Sequence, residues 1–367
     1  MISSGVTKIE PVSRTLSKCA SGTPESEVLN NPASYTARNA TTTRVKPLHC
    51  KGFALKELIA VLAILMLLAI VLIPWVLQSR AISRRDVCER RQQQLALAFM
   101  QYHDDFRQLP GYSNLQAVDQ SGSPRATGWV FPLTPYIGLD TIDEGSIQTP
   151  RYAEIYQQFG PLGKDQDRGQ TPQAVLHPLL CPDNLPQDIE QWVGLSSYMV
   201  NSGMPDLEQS TQQEMKQLPP DWPANGIFQN QFSGRNNPAF KQYNLEEISE
   251  LDGRENTLLL GENINTGKWT DSSEDEVGFV WAGAKTSSDL RPLAINAERE
   301  RTQHTMQTAR LSSYHPGGVN VLMASGATLF INELIDQELF NRRMTPDDKK
   351  ARYPGTEEYI WPVVEEK

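Results

Sequence analysis

The sequence predicts an α+β protein: a long N-terminal helix, pilin-like and membrane-spanning at its start, followed by a globular head rich in antiparallel β-strands. Three observations predict it. Leu58 to Leu77 runs for twenty residues without a charge (LIAVLAILMLLAIVLIPWVL). Beyond it Val87, Leu95, Ala98, Phe99 and Tyr102 recur at roughly helical spacing. After Pro110 the chain changes to short apolar runs separated by Gly, Pro, Asn and Asp, the texture of strands and turns.

Residues 1 to 52 come first, rich in Ser, Thr, Asn and Pro with almost no apolar periodicity, and read as a disordered or removed leader. The span follows. At ~1.5 Å per residue, twenty residues of helix cover ~30 Å, the thickness of bilayer hydrocarbon. A buried core helix is the alternative, but such a helix rarely runs this long without a polar residue. Flanking charge leaves the orientation open: Lys and Arg crowd both sides, among them Arg44, Lys46 and Lys51 before and Arg80, Arg84, Arg85, Arg90 and Arg91 after. Pro74 lies inside the span and is expected to kink it by deleting one backbone hydrogen bond. The helix, residues 53 to 109, is expected to stop where Leu109-Pro110-Gly111 punctuates the chain.

The head is expected to occupy residues 110 to 340 and a tail residues 341 to 367. GWVFPLTPYIG, NTLLLGEN, GFVWAG and GVNVLMASGATLFI read as strands. The last reads as a hairpin, with Val319, Val321 and Met323 before a Ser325-Gly326 turn and Thr328 and Phe330 after it. A short helix is expected over Asn332 to Arg343, with Asn332 as its N-cap. No internal repeat is present.

A net charge of -10 argues against nucleic acid as a partner, because that footprint is basic. Four cysteines in 367 residues exclude a small disulfide scaffold. The five histidines (His49, His103, His177, His304, His315) show no zinc-ligand spacing with one another or with cysteine, so no metal or other cofactor is expected. No phosphate-binding Gly-rich loop and no Gly-x-Ser-x-Gly elbow occurs. Glu274, Asp275 and Glu276 form a charge run, most simply a solvated loop. His315 and Ser325 could be drawn as base and nucleophile, but a histidine bracing the turn at Pro316-Gly317-Gly318 is the simpler reading. The chain is not expected to be an enzyme.

Gly52-Phe53, then Leu55, Glu57 and an apolar helix, resembles the signal of type IV prepilins and type II secretion pseudopilins. The resemblance implies cleavage after Gly52 on the cytoplasmic face by a prepilin peptidase and methylation of the new N-terminal Phe53. Counted from Phe53, Glu57 is fifth and Pro74 twenty-second, the family's positions for an assembly glutamate and a kinking proline. A carboxylate in apolar surroundings needs a partner; in the family it meets the amino terminus of a neighbouring subunit. Ala54 and Lys56 depart from the family's threonine and apolar residue. The family's leaders are short and basic. Translation is therefore expected to begin at or near Val45, giving the leader VKPLHCKG, with residues 1 to 44 outside the signal; a long leader is the alternative.

The remainder resembles a narrower group, the prepilin-like exported proteins of planctomycetes built around a domain of unknown function. Gln78-Ser79-Arg80, Arg84-Arg85, Cys88 and Tyr102-His103-Asp104 stand on the helix, followed in order by GWVFPLTPYI, CPDN at Cys181, SSYMVNSG and NGIF. DGRENTLLLGEN carries Asp252, Gly253, Asn256, Thr257 and Glu262. SSYHPGGVNVLMASGATLFI carries His315, Gly317, Gly318 and Gly326 and matches the group's C-terminal histidine, nine residues, Asp-Gly signature; here Ser325 stands in place of the aspartate. If the head is exported, Cys88 and Cys181 are the two cysteines that leave with it, Cys19 and Cys50 staying behind. An oxidising compartment permits a bridge between them; two unpaired buried thiols are the alternative.

The resemblance implies a single-pass protein of the inner membrane with its head in the periplasm or cell envelope. Its expected partners are the membrane, the prepilin peptidase, and other pseudopilins or copies of itself. The expected function is a structural or assembly role in a pilus or type II secretion-like system. The alternative is a tethered solute-binding or recognition head. An envelope hydrolase finds no nucleophile-base pair above background.

Overall fold

The computed structural model describes residues 55–118, 124–137, 175–186, 194–207, 218–232, 241–283, 285, 294–297, 299–302 and 304–362. The chain divides into two units, Met1–Ala63 and Ile64–Lys367. Of the first, the described part is the start of a helix. Gly52 and Phe53 and the Val45 start lie outside the described residues, as does the side chain of Glu57.

Helix α1 runs Leu55–Phe106 with Pro74 inside it. In the larger unit its apolar residues from Ile64 to Leu77 are almost all exposed, whereas Cys88, Leu95, Phe99 and Tyr102 are buried. Among the described residues α1 is the one helix long and apolar enough to cross a membrane. The helix ends three residues before the expected Leu109: Arg107 turns the backbone to φ 56°, and Leu109 N–H donates to Tyr243 O at 2.8 Å.

Strands β1 (Ser113–Val118) and β2 (Pro124–Gly128) form an antiparallel pair. Downstream lie helix α2 (Val130–Leu133), β3 (Tyr198–Gly203), helix α3 (Leu245–Glu250), β4 (Leu258–Glu262), α4 (Glu274–Val277), β5 (Gly278–Val280), β6 (Gly318–Met323), β7 (Thr328–Asn332) and α5 (Gln337–Met344). Five strands make one sheet in the order β5-β3-β4-β6-β7. It is antiparallel except where β3 and β5 run parallel.

One sheet face packs against α1: Cys88, Leu95, Phe99 and Tyr102 join Tyr198, Val200, Leu260 and Leu322 in one apolar cluster. The other face carries Met199, Leu258, Val319, Val321 and Met323, covered by Phe340 and Met344 of α5. Alternate side chains of β6 therefore enter opposite clusters, as a pleated strand requires. Each large apolar side chain so buried is worth ~1.5–3 kcal/mol. Phe99 stacks on Trp129 at 5.7 Å, which seats the segment after β2 against α1.

Two sequence expectations need correction. GWVFPLTPYIG is not a strand: of its described residues only Gly128 belongs to one, and 130–137 form helix α2 (Val130–Leu133) and a 3₁₀ turn over Thr134–Ile137. Pro132 and Pro135 explain it. Each lacks the N–H a ladder needs and fixes φ near the helical value, while Thr134 Oγ1 closes the turn by donating to Phe131 O at 2.8 Å. Nor does Asn332 cap the last helix. It ends β7, its Oδ1 accepting from Leu334 N–H at 2.8 Å, and the true cap is Asp336, which accepts from Leu339 N–H at 2.9 Å. Beyond α5 the chain still packs on the head, Trp361 stacking on Trp281 at 5.5 Å.

Candidate functional site

Four residues far apart in sequence meet where α1 packs on the sheet. Cys88 on α1 is bridged to Cys181, 93 residues away. Cys181 precedes a 3₁₀ turn, Pro182–Asn184, set by a proline in its first positions. Its N–H donates to Ser197 Oγ at 2.9 Å, which ties the turn to the start of β3. His315 lies in the loop before β6. Its Nε2 sits 3.4 Å from Cys181 Sγ and 3.1 Å from Glu262 Oε1 at the end of β4.

Each charged group here is held from behind. His315 Nδ1 lies 2.8 Å from Asp183 Oδ2, and Asp183 in turn pairs with Arg84 at 2.5 Å. Glu262 accepts from Asn320 N–H at 2.8 Å and from Asn320 Nδ2 at 3.0 Å. Gln92 of α1 donates to Asn320 O at 2.9 Å, and Tyr198 donates its hydroxyl to Cys88 O at 3.3 Å. Arg91 donates to Leu180 O. The node therefore fastens α1, the Cys181 turn, β4 and β6 together.

Cys88 and His315 are fully buried, and Cys181 and Glu262 are 2% exposed. Burial alone lowers the pKa of His315, but the Glu262 and Asp183 carboxylates outweigh it and hold the imidazole above its ordinary value. The arrangement can lock elements together, hold a proton between Nε2 and Oε1, and present four ligating atoms to one point.

Other signature residues shape backbone. Asp252 Oδ2 accepts from Asp348 N–H at 2.6 Å, Asn256 Nδ2 donates to Asp252 O, and Thr257 Oγ1 donates to Gly253 O; Gly253 carries φ 92°. They build the turn that leads α3 into β4. Gly326 carries φ 85° at the β6–β7 turn, where a Cβ would come within 2.3 Å of Met100 on α1. A side chain there is strained by the positive φ, and the terminal methyl of Met100 would have to move aside. Gly317, at φ 82°, turns the chain after Pro316, and Gly318 opens β6. Ser325 stands in the hairpin turn, its Oγ accepting from Ala327 N–H, while His315 is occupied by Asp183, Glu262 and Cys181. The pairing of His315 with Ser325 as base and nucleophile has no contact behind it among the described residues.

Sequence reasoning missed Asp183 and Asn320 as members of this node. Asn320 was findable: it is a polar residue inside the otherwise apolar run GVNVLM. It also missed a buried acidic group. Tyr112 donates to Asp206, Asp206 N–H donates to Glu274 Oε2 at 2.9 Å, and Asp221 accepts from Met204 and Trp222 N–H. Glu274, expected in a solvated charge run, is 5% exposed.

Burial raises Asp206 to about 6, against the opposing bond from Tyr112. Burial and then Asp206 push Glu274 and Asp221 well above the carboxylate range; for Asp221 the bonds from Asn225 and two backbone N–H groups work against the shift. Burial takes Asp252 and Asp271 to about 6 as well. A group whose folded pKa is raised binds its proton more tightly folded than unfolded. Its stabilisation is complete below the unfolded pKa and is lost as pH rises through the folded value. His315, also raised, acts in the same direction. Thermal melts are therefore expected to give a higher Tm at pH 5 than at pH 8; an equal or higher Tm at pH 8 contradicts this assignment of the buried acids.

Comparison with known proteins identifies a family. The family model described as "Protein of unknown function (DUF1559)" matches residues 78–338, which include the α1 segment bearing Cys88, the whole sheet and the node. No curated protein and no solved structure matches the chain.

Proposed function

The chain belongs to this family, proteins of unknown function DUF1559, and from that premise we propose that it is a pseudopilin-like protein of the cell envelope. In this reading a prepilin peptidase cuts after Gly52, Phe53 becomes the methylated N-terminus, and the helix anchors the chain once in the inner membrane. The head then lies in the periplasm or cell envelope and serves a structural or assembly role in a pilus or a type II secretion-like system. Its partners are other pseudopilins or copies of itself, not nucleic acid.

One observation supports this reading above the others: the change of character along a single helix. From Ile64 to Leu77 apolar side chains are almost all left to the surroundings, while from Cys88 the same helix supplies a packed face to the sheet. A soluble protein has no use for so long an exposed apolar surface. A lipid-embedded segment requires it. A helix that is anchor at one end and core at the other suits a subunit whose head must be held rigidly on its membrane segment. Glu57, at the fifth mature position, would be the carboxylate that meets a neighbour's amino terminus.

The experiment is to read the N-terminus of the chain extracted from membranes, with Gly52→Leu as control. The wild type is expected to be processed, and G52L to accumulate as uncut precursor.

A further inference from the structure

The bridge leaves an unused coordination set around it. Cys88 Sγ, Cys181 Sγ, His315 Nε2 and Glu262 Oε1 come from α1, the turn after Leu180, the loop before β6 and the end of β4. The ligating atoms of the four residues all lie within 4.8 Å of one another, and all four residues are buried. Two thiolates, one imidazole and one carboxylate is a donor set that suits a borderline-soft divalent ion in tetrahedral geometry. With metal–ligand bonds of 2.0–2.3 Å, neighbouring ligands of a tetrahedron sit about 3.5 Å apart. The observed separations are 3.4 Å between Cys181 Sγ and His315 Nε2 and 3.1 Å between His315 Nε2 and Glu262 Oε1.

The surroundings match what metal-binding side chains need behind them. A ligating histidine normally gives its other ring N–H to a carboxylate, which fixes the tautomer. His315 Nδ1 faces Asp183 Oδ2 at 2.8 Å, leaving Nε2 toward the sulfurs. A ligating carboxylate is normally held by hydrogen bonds, and Asn320 supplies two to Glu262.

We propose that the node is a redox-gated zinc site: closed while Cys88 and Cys181 are bridged, and binding one Zn²⁺ through Cys88, Cys181, His315 and Glu262 once the bridge is reduced. Opening the bridge takes two electrons and two protons from a dithiol reductant, which is itself oxidised to a disulfide; the S–S bond breaks and two thiols form. Zn²⁺ then displaces to solvent both thiol protons and the proton that His315 Nε2 gives to Glu262, and binds the resulting neutral imidazole through Nε2. Metal and bridge are mutually exclusive, because each uses both sulfurs. The site gives the head a cross-link between α1 and the sheet before oxidation as well as after it.

The test uses the full chain in detergent with Cys19→Ser and Cys50→Ser, so that Cys88 and Cys181 are its sole thiols. Zinc content after dialysis is measured for bridged and for anaerobically reduced protein, with Co²⁺ as a spectroscopic probe of thiolate ligation. The reduced protein is expected to retain one zinc and show thiolate-to-Co²⁺ charge transfer, the bridged protein neither. Cys181→Ser and His315→Ala are each expected to weaken binding at least tenfold. Reduced protein that holds no stoichiometric zinc, or holds as much in the Cys181→Ser variant, overturns the proposal. Melting the reduced protein with and without Zn²⁺ guards against simple unfolding: Tm is expected to rise with zinc, and an unchanged Tm also overturns it.

Discussion

Removing the bridge, as Cys88→Ala with Cys181→Ala, is expected to lower the Tm of the head by roughly 10 °C when measured in chelator. The two cysteines are 93 residues apart. Closing a loop of that length removes denatured-chain entropy worth about 4–5 kcal/mol. For a domain of this size each kcal/mol moves Tm by roughly 2–4 °C. The bridge is also placed where that constraint is useful, since it pins the packed part of α1 to the turn before β3. Thermal melts of wild type and double variant, both carrying Cys19→Ser and Cys50→Ser, decide it. A Tm within two or three degrees (approximate bound) of wild type would show that packing alone holds α1 on the sheet.

Glu262→Ala is expected to cost about 3–5 kcal/mol, the usual range for breaking a buried pair by deleting one partner. The side chain is 2% exposed and serves three donors: Asn320 N–H, Asn320 Nδ2 and His315 Nε2. Alanine leaves all three buried with nothing to accept from them, and leaves His315 facing Asp183 alone. Glu262→Gln keeps an acceptor oxygen for Asn320 but removes the charge that faces the imidazole, so its loss should fall between wild type and alanine. Urea unfolding of both variants at an unchanged m-value measures this. A loss under ~1 kcal/mol for E262A would mean that water replaces the carboxylate at little cost.

The head was partly legible because strands announce themselves by local pattern. NTLLLGEN, GFVWAG and the hairpin after Gly318 are apolar runs bounded by turn residues, and each contains the strand found there. The segment from Trp129 to Ile137 has the same apolar content but two prolines, and backbone chemistry overrode composition. The last helix failed for a similar reason: Asn332 and Asp336 are both good caps, and only the tertiary course of β7 decides between them.

The node is legible residue by residue and not as a whole. Cys88, Cys181, Glu262 and His315 each stand in a motif that marks them out, yet their separations of 93, 81 and 53 positions match no metal or catalytic spacing. Sheet order brings them together, since β4 lies beside β6 and α1 crosses the same face. The acidic group hid differently. Glu274 sits in a run of charges that reads as a surface, and its burial depends on Asp206 and Tyr112 from distant loops.

The proposed processing of the helix into a membrane-held anchor for the head is written in the N-terminal peptide of the wild-type chain extracted from membranes. Mass spectrometry is predicted to find a chain beginning at N-methylated Phe53, with no peptide from before Gly52. A membrane-held chain that still carries sequence upstream of Gly52, or that begins elsewhere in the helix, would contradict it.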